Sequence, residues 1–236
     1  LVSMANGSIT KGKPVILRTD GDFAEVGGTS SSGSVVSPET QQISSQQNTE
    51  DKFYIADNGN GIFAVVSIAS NRARIILGED TGTSITWGSE VTLDDTSENI
   101  TGVSVYYDSV EDKFIATNVS GGSQNVCSYI VSYSGTTATK GTQSSLLALG
   151  FPNSNYVVAS DYNTTDKKGI VCIGKDTGKL FTVTVSGTTI TQSALSSQFS
   201  GSSNSAQFFN MVYDNTNSVG YITYRNEAIS DYPYIQ

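Results

Sequence analysis

The chain has 236 residues, with 13 Lys and Arg against 22 Asp and Glu, a formal net charge of −9 and no histidine. That acidic balance repels phosphate backbones and anionic lipid, and the missing imidazole excludes His-based triads, zincin sites and histidine metal ligands. Two cysteines, Cys127 and Cys172, are too few for a thiolate zinc site or a disulfide framework; they read as two buried thiols or one disulfide.

The opening stretch LVSMANGS lacks the basic and apolar regions of an intact signal peptide. It also lacks an initiator Met, so the chain is expected to be processed or partial. No apolar run approaches the roughly 18 residues of a membrane span. Residues 7–17, GSITKGKPVIL, read as a strand. Residues 18–50 are Ser/Gln-rich and weakly periodic, as in a solvated linker or a surface arm touching a neighbouring subunit.

From residue 51 the chain repeats itself. The segments beginning GTSITWG, GTTATKG and GTTITQS lead with Gly82, Gly135 and Gly187, which sit 53 and 52 residues apart. Upstream, Asp57, Asp108, Asp161 and Asp214 each end an apolar strand, with spacings of 51, 53 and 53. Within the second unit four strands read as 100–108, 113–121, 125–135 and 136–147, separated by turn residues. The first of these, ITGVSVYYD, is apolar on both faces and belongs in the interior.

A period of this length carrying four antiparallel strands predicts an all-β, propeller-like fold. The units are 51–95, 96–148, 149–200 and 201–236, in a single domain spanning 1–236. The fourth unit supplies three strands before the chain stops, and residues 7–17 match the fourth-strand pattern of the other units. An N-terminal strand is therefore expected to complete the last of four blades and remove exposed sheet edges. The alternatives are a longer array cut at both ends, or strands exchanged between subunits.

Few residues suggest chemistry. The repeat aspartates open loops such as DNGNG and DYNTTD. Asp161, Asn163 and Asp166 are weak calcium candidates without the full spacing of a calcium loop. The competing reading is turn formation, since Asp and Asn bond their own backbone. Trp87, the only tryptophan, has Lys11, Lys140 and Gln192 as its repeat equivalents. It is a candidate glycan or protein contact, or packs beneath 18–50. Tyr107 and Tyr213, beside repeat aspartates, are ligand-binding candidates on the same ground, against a core role with a bonded hydroxyl. Nothing in the spacing of the 22 carboxylates singles out an acid and a base, and no glycine-rich phosphate loop leads into a helix. No catalytic residue, cofactor or metal is assigned.

The unit built from an apolar strand ending in YD, then KFIAT and SGTTATKG, resembles repeats in structural proteins of tailed bacteriophages, especially marine ones. So does the opening NGSITKGKPVILRTDGDFAEVGG. The resemblance implies a non-enzymatic virion surface component of the tail-fibre, head-fibre or capsid-knob kind. It would serve host attachment or capsid decoration, with other virion proteins, copies of itself and host surface glycan as partners. A secreted bacterial carbohydrate-binding lectin or adhesin is the alternative. A polysaccharide-degrading enzyme on the same scaffold is a third.

Overall fold

The computed structural model describes residues 15–17, 23–25, 48–82, 84–94, 99–150, 156–174, 178–197, 206–226 and 232–235. Among them there are only strands and turns, and every pairing is antiparallel. The chain divides into two compact units, residues 1–40 and 41–236.

The first unit holds a two-stranded antiparallel pair, β1 (Val15–Leu17) with β2 (Phe23–Glu25), in which Leu17 is in register with Phe23. The segment read as a linker thus contributes β2 and the first residues of β3. Residues 7–14 of the expected closing strand lie outside the described residues.

The second unit contains four sheets, none closed on itself. Sheet 1 comprises β3 (Asn48–Asp57), β4 (Ile62–Ala69), β5 (Arg72–Asp80), β6 (Ile85–Trp87) and β7 (Val91–Thr92). Sheet 2 comprises β8 (Ile100–Asp108), β9 (Lys113–Ser120), β10 (Asn125–Ser134), β11 (Thr137–Gln143) and β12 (Leu147–Ala148). Sheet 3 holds β13 (Val157–Asn163), β14 (Lys168–Gly174), β15 (Gly178–Ser186) and β16 (Thr189–Gln192). Sheet 4 holds β17 (Ala206–Asp214), β18 (Val219–Asn226) and β19 (Tyr232–Ile235). Each is a simple meander, so hairpin turns alone set its order. Gly82, Gly135 and Gly187 take positive φ of 81°, 55° and 60° in the turns before the fourth strands, the backbone region that glycine enters without steric cost.

The fourth strands are shorter than the sequence pattern suggests, and serine explains how. Ser144 donates its N–H to the Ser128 carbonyl while its hydroxyl accepts the Ser128 N–H. Ser193 treats Thr182, and Ser196 treats Leu180, in the same way. A side-chain oxygen replaces a backbone carbonyl at each site, so the outer strand leaves regular pairing without stranding its neighbour's donor.

The sheets pack in series through their first strands: β8 lies against β3, β13 against β8, and β17 against β13. Ile68, Leu77, Val105 and Phe114 belong to the core between sheets 1 and 2. Tyr106, Ile115, Val158 and Phe181 belong to that between sheets 2 and 3. Between sheets 3 and 4 the cluster is small: Ala159, Cys172, Met211 and Ile222. Small residues let the sheets approach. A Cβ on Gly169 would stand 2.1 Å from the Tyr106 hydroxyl, and one on Gly88 would stand 1.9 Å from the Thr136 carbonyl oxygen.

Candidate functional site

The four first strands share a cavity of about 520 Å3 near their turn ends, lined among others by Tyr54 and Asp57 of β3, Tyr107 of β8, Asp161 of β13 and Met211 of β17. Elsewhere on β3, the Lys52 ammonium donates to the carbonyls of Thr101 at 2.5 Å and Tyr156 at 3.1 Å, tying sheet 1 to the next two. Burial, and then the nearby Cys172 thiol, raise the Tyr54 phenol above its ordinary value. Both cysteines are free and buried, and burial pushes the Cys172 thiol far up. Cys172 is therefore not a thiolate nucleophile in this state.

Register fixes which residues are equivalent. Trp87 closes the row Asp57–Phe63–Gly78–Trp87, Lys140 the row Tyr107–Phe114–Val131–Lys140, and Gln192 the row Tyr162–Gly169–Val183–Gln192. The equivalence of Trp87, Lys140 and Gln192 therefore holds in the sheets. The aspartate marker does not hold throughout. The residues that open the turns after the first strands are Asn58, Asp108, Asn163 and Asp214. Asp57, Asp108 and Asp214 end their strands as expected, and Asp57 Oδ1 accepts the Gly59 N–H at 2.8 Å. In register, Asp57 falls one residue short of the turn-opening position, and Asp161, inside β13, two. Asn and Asp make the same side-chain turn, so an Asp-only marker slips wherever asparagine has the position.

These residues do turn chemistry. Asn58 Oδ1 accepts from the N–H groups of Asn60 at 2.8 Å and Ile62 at 3.1 Å. Asp108 Oδ1 accepts from Val110 at 3.0 Å and Glu111 at 3.1 Å, and Asp214 Oδ1 from Thr216 at 2.9 Å and Asn217 at 3.1 Å. Asn163 Oδ1 accepts from the Asp166 N–H at 2.9 Å. The Asn217 side chain, then its backbone N–H, hold the Asp214 carboxyl below its ordinary value.

Asp161, displaced from the turn, faces sheet 4. One carboxylate oxygen accepts the Tyr162 N–H and the other the Tyr213 N–H, each at 2.7 Å. Asn163 donates its amide to Asp166 at 3.0 Å and to the Tyr213 hydroxyl at 2.9 Å. Asp161, Asn163 and Asp166 thus do not present oxygens converging on one point. Among the described residues no cluster of three His, Cys, Asp or Glu has metal-ligating geometry.

Tyr107 and Tyr213 occupy the same row position in sheets 2 and 4. Tyr107 lines the cavity, and its hydroxyl donates to Asp112 at 2.5 Å. Tyr133 donates to the same carboxylate oxygen and accepts from the Asn58 amide at 2.9 Å. The Phe114 ring lies between them, with centroids 5.2 Å and 5.3 Å away. The two phenol donors hold the Asp112 carboxyl below its ordinary value. Tyr213 instead bonds sheet 3. Trp87 lies on the outer strand of sheet 1, half-buried, edge-on to Phe63 with centroids 5.2 Å apart.

The three aromatic candidates therefore do not converge on one ligand. Sequence reasoning missed Asn58, Asp112, Tyr133, Thr164 and Asn215. The last two join across sheets, Thr164 donating its N–H and hydroxyl to Asn215 Oδ1 at 2.6 Å and 2.9 Å. Their only sequence signal is the Asn/Thr richness of the turns. No family model matches the chain, and no curated protein matches its sequence.

Proposed function

We propose that this chain is a non-enzymatic structural module of a bacteriophage virion surface, presenting a rigid β-scaffold for host adsorption or particle assembly. Its four sheets are read as the blades of a propeller, with residues 7–17 supplying the outer strand of the last. The observation that carries the scaffold reading is the use made of the polar loop residues. Asp108, Asp161, Asn163 and Asp214 all bond their own turns or the adjoining sheet, and Asn215 bonds across to Thr164 and Tyr162. Side chains committed in this way hold loops still, and fixed loops suit repeated weak contacts that gain strength from multivalency. The virion assignment rests on the repeat's resemblance to phage structural proteins.

One arrangement favours a carbohydrate partner within this reading, or a free lectin as its alternative. Tyr107 lines the cavity, and its hydroxyl shares the Asp112 carboxylate with the Tyr133 hydroxyl. Amphipathic rings beside fixed acceptors suit a neutral polyhydroxylated ligand.

The test is binding of the chain, clustered on a multivalent carrier, to whole bacterial cells with soluble surface polysaccharide as competitor. Particle fractionation is run alongside. Saturable, competed binding together with co-purification on intact particles is expected. Binding by a chain found only free in the medium would favour the lectin. The absence of both cell binding and particle association would overturn the proposal.

A further inference from the structure

One repeat position enters the wall of the shared cavity from every sheet. Counting back from the turn-opening residues, the third residue is Ile55, Val105, Ser160 and Met211, and all four line the cavity. Three of them are apolar. Val105 and Met211 are buried, whereas Ile55 is 66% exposed, so this wall leaves an isoleucine to water. Ser160 breaks the apolar pattern, and its hydroxyl oxygen is buried with no hydrogen-bond partner. Burying a hydroxyl is costly until it finds a partner. Serine can turn its hydroxyl about a single bond to meet one.

At the turn end the lining is polar. Asp57, Ser109, Thr164 and Asn215 supply one residue from each sheet. Thr164 and Asn215 are bonded to each other. Among the described residues Ser109 makes no side-chain hydrogen bond, and Asp57 uses only Oδ1, for the Gly59 N–H. The lining includes the acidic residues Asp57 and Asp161 and neither lysine nor arginine. An anionic ligand would meet like charge with nothing to balance it. The volume of about 520 Å3 is within the roughly 300–1,000 Å3 of small-molecule sites.

We propose that this cavity takes the terminal residue of an uncharged glycan by its acetamido group. The inference rests on the carbohydrate reading above, whose sugar it names, and stands apart from the virion assignment. The acetamido methyl covers Ile55 beside Val105 and Met211, and the acetamido carbonyl accepts from the Ser160 hydroxyl. Ring hydroxyls meet Ser109 and Asp57 Oδ2 at the turn end. Other substituents satisfy only part of this lining. The methyl of a deoxy sugar covers the apolar wall and strands Ser160. A plain hydroxyl satisfies Ser160 and leaves the wall bare. A uronic or sialic acid brings the same charge as Asp57 and Asp161.

The test is binding of the chain, clustered on a multivalent carrier, to polymer conjugates of six sugars. These are N-acetylglucosamine, N-acetylgalactosamine, the parent glucose and galactose, glucuronic acid and N-acetylneuraminic acid. One N-acetylhexosamine is expected to bind about tenfold or more tighter than its parent hexose, and neither acid to bind. Ser160→Ala should weaken the N-acetylhexosamine about fivefold and leave the hexose unchanged. Ile55→Ser, at an exposed position, should weaken the same sugar, and it serves alone if Ser160→Ala fails to fold. Asp57→Asn keeps an oxygen for the Gly59 N–H and should admit the acids. Equal affinity for a hexose and its N-acetyl derivative, or tightest binding of an acid, overturns the inference and leaves the carbohydrate reading standing. N-acetylhexosamine binding that folded Ser160→Ala and Ile55→Ser leave intact also overturns it. Binding of none of the six overturns the inference and the carbohydrate reading together.

Discussion

The interface between sheets 2 and 3 and the one between sheets 3 and 4 use the same repeat positions but different chemistry. At the first, Tyr106 stacks on Tyr162 with centroids 5.9 Å apart and sits over Gly169, within a continuous apolar cluster. At the second, the residue equivalent to Tyr106 is Asp161, whose carboxylate takes the Tyr213 N–H. Asn163 and Asn215 add further bonds across that boundary. Apolar burial contributes in proportion to area, whereas each of these part-buried hydrogen bonds replaces one with water and contributes only about 1 kcal/mol net. The difference predicts a gradient of stability along the row, with sheet 2 firmest and sheet 4 the first to open.

The largest expected effect comes from the firm end. Phe114 is fully buried in the sheet 1–sheet 2 core, between Tyr107 and Tyr133. Phe114→Ala should cost about 3–5 kcal/mol in denaturant unfolding, as deletion of a buried ring does. Next is the close approach at Gly169, where Gly169→Ala should cost about 1–3 kcal/mol by overpacking against Tyr106. Tyr106→Leu in the same chain should reduce that increment, and additive effects in the double-mutant cycle would show that the two residues are not coupled.

At the polar interface, Asp161→Ala leaves two donors to find other partners, and the expected loss is about 1 kcal/mol. It should appear as faster proteolysis within sheet 4, with the global midpoint little changed. The same comparison can be sharpened with alkali. Burial, then the charge of Asp108, hold the Tyr106 phenol well above its ordinary value, and burial, then Cys127, do the same to Tyr129. A folded-state pKa above the unfolded one gives stability that is complete below the unfolded value, about 10 for tyrosine. That stability is lost as pH rises from there toward the folded value. Unfolding midpoints should therefore fall above about pH 10, and Tyr106→Phe should flatten the fall.

Much of this organisation was legible in the sequence. In the second unit the predicted strands 100–108, 113–121, 125–135 and 136–147 lie within a residue or two of β8, β9, β10 and the start of β11. Glycine at fixed offsets and two-faced apolar strands have few structural readings. The fourth strands were read too long because serine's capacity to stand in for a backbone acceptor has no periodic signature. The aspartate marker failed at Asp161, which lies inside β13, and ran one residue out of register at Asp57, because asparagine takes the turn-opening position there. Trp87 was identified as distinct from its polar equivalents, but which side of the sheet it faced depended on register. The Asp112 cluster was out of reach, since it joins residues from two turns and two strands through side chains alone.

The most direct test of the graded row is native-state hydrogen exchange, resolved by sheet, at a concentration where the chain is monomeric. Amides of β9 and β10, residues 113–120 and 125–134, should exchange slowest, near the global unfolding rate. Those of β17 and β18, residues 206–214 and 219–226, should exchange fastest among the strands of the four sheets. Equal protection of sheets 2 and 4 would contradict the account, because it would mean that the polar boundary holds the last sheet as firmly as the apolar one holds the second.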